Sequence, residues 1–317
     1  MHSLIAPVGK ELLMRELNAE SFVRVTHKAR KHIYIVDGNT APHTMREIGR
    51  LREETFRRAG GGTGLSCDLD EFDAGEHCYS QMIVWDPEDL EIVGGYRFIR
   101  GDEVPLIENG EPRLATHELL DYSPAFIRDY LPHTIELGRS FVQPRYQPNQ
   151  HSRKGLFSLD NLWDGLGAII VDNPDIRYLF GKVTMYPQFD RLARDLILYF
   201  MQRYFPDDEQ LVVAKTRLPF WTDASTLTEP FAGLTDYESA LPALNNQVRA
   251  RGENIPPLIN AYMSLSSTMK TFGTARNSAF GDVEETGIMI VIDDVYAAKL
   301  ARHVDTYTPV SQQRTAA

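Results

Sequence analysis

The sequence predicts an α/β protein in which a mixed sheet carries helices on its faces. Three observations predict it. β-rich runs alternate with helically periodic runs along the chain, two β-rich runs flank a turn and read as an antiparallel hairpin, and residues Leu156 to Ile170 carry a clean apolar stripe.

His32 to Val36 (HIYIV) is rich in β-branched and aromatic residues and reads as a first strand ending at the turn Asp37-Gly38. From Thr44 to Arg58, apolar Met45, Ile48, Leu51 and Phe56 recur near helical spacing, and Gly60-Gly61-Gly62 stops the helix. Tyr79 to Trp85 and Ile92 to Ile99 are strands, and the turn-rich Asp86-Pro87-Glu88-Asp89 between them makes the hairpin. Thr134 to Val142 is a further strand. After a polar loop, Leu156, Leu159, Leu162, Trp163, Leu166, Ile169 and Ile170 recur at i, i+3 and i+4, the strongest helical signal in the chain. Arg177 to Val183 then reads as a strand, Phe189 to Tyr204 as a helix closed by Pro206, and Thr286 to Asp293 as a last buried strand.

Length and composition narrow the class. At 317 residues, 43% apolar and 24% charged, the chain is globular and long enough to bury a sizeable core. The expected organisation is one domain over residues 1–305. An insertion or lid is expected at about 206–257, where Pro219 to Pro257 reads as irregular, and a disordered tail over 306–317. Two cysteines are too few for a disulfide framework, and no export signal or 18-residue apolar run is apparent, so a cytoplasmic location is expected. The net charge of -11 argues against a nucleic-acid partner. From Met1 to Arg58, however, 11 Lys and Arg stand against 7 acids. Such a segment suits either the anionic inner face of a membrane, touched peripherally, or an ordinary solvated helical face.

Four stretches carry the chemistry. They are Asp68-Leu-Asp70-Glu-Phe72-Asp73, Gly94-Gly95-Tyr96-Arg97-Phe98, Glu136-Leu-Gly138-Arg139-Ser140-Phe141-Val142, and Leu162-Trp163-Asp164-Gly165-Leu166 followed by Tyr178-Leu-Phe-Gly181. On a strand, residues three apart point to opposite faces, so Glu136 and Arg139 can serve one site only across a β-bulge, which is therefore predicted. The plain alternative is an ion pair of Glu136 with Arg139, alone or with Arg97 and Asp73. The acidic run from Asp68 to Asp73 is a solvated loop on its bland reading, and it lacks the glycine and distal glutamate of an EF-hand.

In this order the four stretches resemble the acyl-ACP-dependent GNAT acyltransferases, the family of the ornithine-lipid and glycine-lipid synthases and of proteins labelled hemolysins. The spacing is more distantly similar to the acyl-homoserine-lactone synthases. The resemblance implies a GNAT-like, mostly antiparallel sheet with two splayed strands, 136–142 and 177–183, and a helical C-terminal elaboration. It implies N-acyl transfer from an acyl carrier protein, whose 4′-phosphopantetheine carries the thioester, or from acyl-CoA, to a primary amine of an amino acid or aminolipid.

No permanently bound cofactor or metal is implied. Glu136 is the implied general base, Arg139 its companion, and Val142 lies near a backbone N–H for the thioester oxyanion. Asp70, Asp73 and Arg97 are the implied amine-acceptor side. Coenzyme A is usually gripped by a glycine-rich turn, which is degraded here to Arg145, Arg153, Lys154 and Gly155. Basic residues in place of glycines suit one phosphopantetheine phosphate and an acidic carrier protein, or an ordinary polar loop. Two rivals remain: a homoserine-lactone-type signal synthase, and a non-catalytic protein that binds acyl chains or membranes.

Overall fold

The computed structural model describes residues 1–147 and 155–309. Its first elements are α1 (Lys10–Glu16), β1 (Phe22–Val25), β2 (His32–Val36), α2 (Pro42–Ala59), β3 (Ser80–Asp86), β4 (Glu91–Arg100), β5 (Leu120–Tyr122) and β6 (Thr134–Val142). Then come α3 (Ser158–Asp172), β7 (Tyr178–Met185), α4 (Arg191–Tyr204), β8 (Val212–Ala214), α5 (Ala224–Thr228) and α6 (Tyr237–Ala250). The chain closes with α7 (Pro257–Met263), β9 (Lys270–Asn277), β10 (Val283–Val291) and α8 (Ala297–His303). Two compact units result, one of Met1–Pro105, Pro132–Arg177 and the chain from Tyr296 on, the other of Leu106–Leu131 and Tyr178–Val295.

In the first unit the strands run β1-β2-β3-β4-β6, each antiparallel to its neighbour. β3 and β4 are buried along nearly their whole length, as near-continuous apolar runs in mid-sheet must be. Helix α3 packs on β3 and β4, and α2 packs on β6. α2 starts with Pro42 at its first turn and stops at Gly60, which takes φ 97° and donates its N–H to the Arg57 carbonyl.

The Trp163-Asp164-Gly165-Leu166 stretch is explained by this packing. Asp164 is fully buried and accepts from the His27 amide and from His303 Nδ1, each at 2.8 Å, tying β1 and α8 to α3. A side chain at Gly165 would lie 2.5 Å from Met82 Sδ, so glycine lets α3 sit close on β3. These residues hold the fold.

The second unit has the antiparallel strands β7-β10-β9 and a two-stranded ladder β5-β8. Its core includes an aromatic chain from Tyr122 through Phe126 and Phe180 to Phe272, with ring centroids 5.4, 5.4 and 5.8 Å apart.

Four sequence expectations need correction. α1 and β1 precede the strand read as first, and β9 is a further strand. β1 is four residues long, too short to show alternation, and β9 is interrupted by Gly273 at φ 89°. The stretch 219–257 is not irregular, because Asp236 caps α6 through the Ser239 amide and Tyr237, Ala240, Leu244 and Val248 bury one face. Finally, the tail expected from 306 begins anchored. Thr306 accepts from Arg24, and Tyr307 donates to Asp172 at 3.0 Å. Residues 310–317 lie outside the described residues.

Several cations of the basic N-terminal region are neutralised by carboxylates. Arg50 pairs with Glu47 and Glu54, Arg57 with Glu53, Arg58 with Glu54, and Lys31 with Asp86.

Candidate active site

The predicted bulge is present. β4 and β6 pair Gly95 with Phe141 and Arg97 with Gly138, so two steps on β4 face three on β6. Arg139 sits at the bulge with φ 48°, a left-handed conformation that a long side chain rarely takes. Beyond it, the Gln143 N–H donates to the Val93 carbonyl on β4. Adjacent amides of a strand point to opposite edges, so the N–H and C=O of Val142 face the edge away from β4. That carbonyl accepts from Gln147 Nε2 at 2.8 Å.

The bulge turns Arg139 to the acidic loop. Arg139 Nε lies 3.0 Å from Asp68 Oδ2, and Nη2 lies 3.5 Å from Asp70 Oδ2. Asp70 also takes Arg97 Nη1 on both oxygens, at 2.7 and 2.8 Å. Asp73 accepts from Arg52 Nη1 at 3.0 Å and from Gln81 Nε2 at 3.2 Å, and Arg52 Nη2 donates to Gln81 Oε1 at 2.5 Å. The loop itself is closed by the Asp70 amide donating to Asp73 Oδ2 at 3.1 Å and by the Asp68 amide donating to the Gly49 carbonyl of α2. Asp37-Gly38 packs so closely on the Asp73 carbonyl that no side chain fits at Gly38.

Three arginines and three aspartates thus interlock, and burial sets their character. Asp68 and Asp73 are sealed, whereas the Asp70 side chain keeps 22% of its exposure. Burial pushes the Asp68 carboxyl up, against the pull of Arg139, Arg52 and Arg97. Burial acts on Asp73 in the same sense, but Arg52 and Arg97 outweigh it and hold that carboxyl down at about 2. For Arg97, burial alone would favour the neutral form, and Asp70 and Asp73 reverse that and raise its pKa.

Glu136 lies beside this cluster. It is 2% exposed, and the Tyr79 hydroxyl donates to its Oε2. The Arg97 guanidinium sits over the rings of Tyr79 and Phe72, at 5.2 and 5.4 Å from their centroids. The sequence reading placed Glu136 and Arg139 in a mutual ion pair or in a site. The structure gives Glu136 to Tyr79, and Arg139 to Asp68 and Asp70.

Of the expected residues, Asp70, Asp73, Arg97, Glu136 and Arg139 come together. Arg145 stands apart, exposed and paired with Glu91. Gly155 is buried and its carbonyl accepts from the Ser158 amide at the start of α3. Arg153 and Lys154 lie outside the described residues. Sequence reasoning missed Arg52, Tyr79 and Gln81. Arg52 was the readable one, because it falls within the Ile48, Leu51, Phe56 stripe of α2 and is fully buried.

The cysteines stand outside the chemistry. Cys67 Sγ faces the Arg46 carbonyl at 3.5 Å, and a side chain at Gly49 would lie 2.6 Å from it. Burial, with Asp68 beside it, pushes the thiol up to about 11. Among the described residues no group of three or more His, Cys, Asp or Glu could hold a metal ion, and no helix is long and apolar enough to cross a membrane.

Residues 51–154, which hold the bulged Glu-x-x-Arg strand and the charged loop, match the acetyltransferase (GNAT) domain family, so the class is that of the GNAT acyltransferases. Two proteins named glycine N(alpha)-acyltransferase are close relatives. That of Bacteroides thetaiotaomicron is 53% identical over 97% of this chain and 91% of its own length. That of Phocaeicola vulgatus is 48% identical over 97% and 94%. The chain belongs to the GNAT N-acyltransferase family that these two proteins represent. Among solved structures, a CoA-dependent acyl-homoserine lactone synthase, BjaI, aligns over 87% of this chain and 89% of its own, at 10% identity and a TM-score of 0.37, below what marks a shared fold.

Proposed function

We propose that this N-acyltransferase moves a fatty or 3-hydroxy-fatty acyl group from the phosphopantetheine thioester of an acyl carrier protein to the α-amine of glycine. The names and high identity of the two relatives support glycine. The observation that carries the chemistry is the bulge at Arg139, which puts Glu136, Arg139 and the outward Val142 N–H on one short strand.

In this reading the amine nitrogen attacks the thioester carbonyl carbon, and the carbonyl oxygen gains charge beside the Val142 N–H. Glu136 takes a proton from the glycine ammonium, directly or through a water, which frees the attacking lone pair, and as collapse breaks the C–S bond the second proton shed by the nitrogen passes to the departing pantetheine thiolate. No acyl-enzyme forms. Asp70, the partly exposed carboxylate of the cluster, meets the incoming ammonium. Asp73 and Arg97 hold Asp70 in place, and Arg139 fixes the bulge by spanning Asp68 and Asp70. Carrier protein is favoured as donor over coenzyme A because the sequence at Arg145, Arg153, Lys154 and Gly155 offers basic side chains in place of a glycine cradle. Exposed Lys28 and Arg30 leave a small basic surface for peripheral contact with an anionic membrane.

The test is a purified-enzyme assay with palmitoyl and 3-hydroxypalmitoyl carrier protein or coenzyme A, offering glycine or ornithine, and mass spectrometry of the products. N-acylglycine made faster from carrier protein is expected. Acyl transfer to ornithine but not glycine would overturn the acceptor, and equal or faster use of coenzyme A would overturn the donor.

A further inference from the structure

We propose that the unit containing β7, β9 and β10 holds a separate phosphate-binding pocket, of about 250 Å³, walled by Tyr186, Arg191, Arg194, Trp221, Arg276 and Glu284. Its ligand is a phosphate group, carried on a small organic molecule or free.

The argument starts at Arg194, which is 4% exposed. Its Nε donates to Glu284 Oε2 at 2.6 Å, and its Nη1 donates to Asp195 Oδ1 at 2.5 Å and to the Pro219 carbonyl at 3.0 Å. Its Nη2, equally buried, has no hydrogen-bond partner among the described residues. Buried guanidinium donors are rarely left unpaired, because each gives up its hydration with nothing in return. Arg194 is one of the residues that line the pocket, so a phosphate oxygen entering there comes to this underpaired guanidinium.

Two more guanidiniums line the same pocket. Arg191 is one turn before Arg194 on α4, hence on the same face, and lies 5.3 Å over the Trp221 ring. Arg276 on β9 is the cross-strand partner of Glu284 on β10 and is exposed. Neither has an ion pair among the described residues. The carboxylates are fewer: Glu284 is engaged by Arg194, which leaves Asp282 on the rim against two uncommitted arginines. The cations come from a helix and a strand, so their donors converge from different directions, which suits a tetrahedral anion better than a flat carboxylate. Asp190 already caps α4 through the Ala193 amide, so the site is one of side chains. The pocket is larger than a lone phosphate, and Trp221 and Tyr186 provide ring faces for an organic substituent.

The experiment titrates the full-length protein with pantetheine 4′-phosphate, inorganic phosphate and unphosphorylated pantetheine, by calorimetry and by tryptophan fluorescence with Trp221→Phe as control. Saturable binding of pantetheine 4′-phosphate, loss of affinity by about tenfold or more in the Arg191→Ala/Arg276→Ala double variant, and no binding of unphosphorylated pantetheine support the proposal. Inorganic phosphate binding as well as the organic phosphate assigns the pocket to free phosphate, and much weaker inorganic binding assigns it to a phosphate carried on an organic molecule. Failure of both phosphate probes to saturate at millimolar concentration, or an unaffected double variant, overturns it. Both arginines are exposed, so the variant keeps its fold, which a thermal melt verifies. Glu136 turnover plays no part in this readout, so the pocket and the acyl-transfer reading stand or fall separately.

Discussion

Tyr79 gives its phenolic hydrogen to Glu136 Oε2, and neither side chain sees solvent. The hydroxyl fixes the rotamer of the carboxylate, and Arg97 holds the phenol ring from its face. On the mechanism proposed above, in which Glu136 is the base, Tyr79 is a positioning residue. Tyr79→Phe should lower kcat by about tenfold to a hundredfold, with KM for the acyl donor little changed, because one oriented buried hydrogen bond is lost while the base remains. Glu136→Gln keeps an oxygen to accept from Tyr79 and should cost kcat about 100-fold or more while leaving Tm nearly unaltered. Steady-state kinetics beside a melting curve separate the two effects.

The Arg52 to Asp73 pair is buried on both sides, at 0% and 2% side-chain exposure. Arg52→Ala leaves Asp73 and Gln81 short of a donor, and a loss of about 3–5 kcal/mol is expected from urea unfolding at neutral pH.

Asp73 also sets an acid limb. Its folded pKa lies below its unfolded one, so its stabilisation is present above about pH 4 and is lost as pH falls through about 2. Asp68 acts with the opposite sign, because its raised folded pKa means its ionisation opposes folding as pH rises past the unfolded value. Urea midpoints measured from pH 2 to 6 should show the Asp73 limb, and Asp73→Asn should flatten it.

Arg139 occupies left-handed backbone, so the two simplest substitutions should diverge. Both Arg139→Gly and Arg139→Ala lose the ion pair to Asp68. Glycine takes the conformation without strain, and Arg139→Gly should be more stable than Arg139→Ala by about 0.5–1 kcal/mol. Equal stabilities would show that the bulge relaxes.

Gly165→Ala drives a methyl into Met82 and should cost about 1–3 kcal/mol, partly restored by Met82→Ala. A double-mutant cycle by thermal denaturation reads the coupling.

Much of this was legible in the chain, for a physical reason. β3, β4, β6, α2 and α3 span seven or more residues each, and Glu136 and Arg139, three apart on a strand, could serve one site only across a bulge, so a bulge could be inferred from the sequence. What stayed hidden depends on distant partners. Nothing local marks Tyr79 as the donor to Glu136, 57 residues away, or Arg52 as the partner of Asp73. The helical order of 224–250 was obscured by Pro and Thr, although Asp223 and Asp236 were readable as caps. Asp164 and Gly165 drew notice as part of a functional stretch, yet what they secure is helix packing.

The half-buried thiol of Cys67 bears on how the protein would respond to oxidants and alkylating reagents. With a pKa of about 11, roughly one molecule in ten thousand carries the reactive thiolate at pH 7. Maleimides and peroxide should spare this sulfur while the fold is intact. Its labelling would then report local opening at the contact between the loop and Gly49, the same joint that anchors the charged cluster.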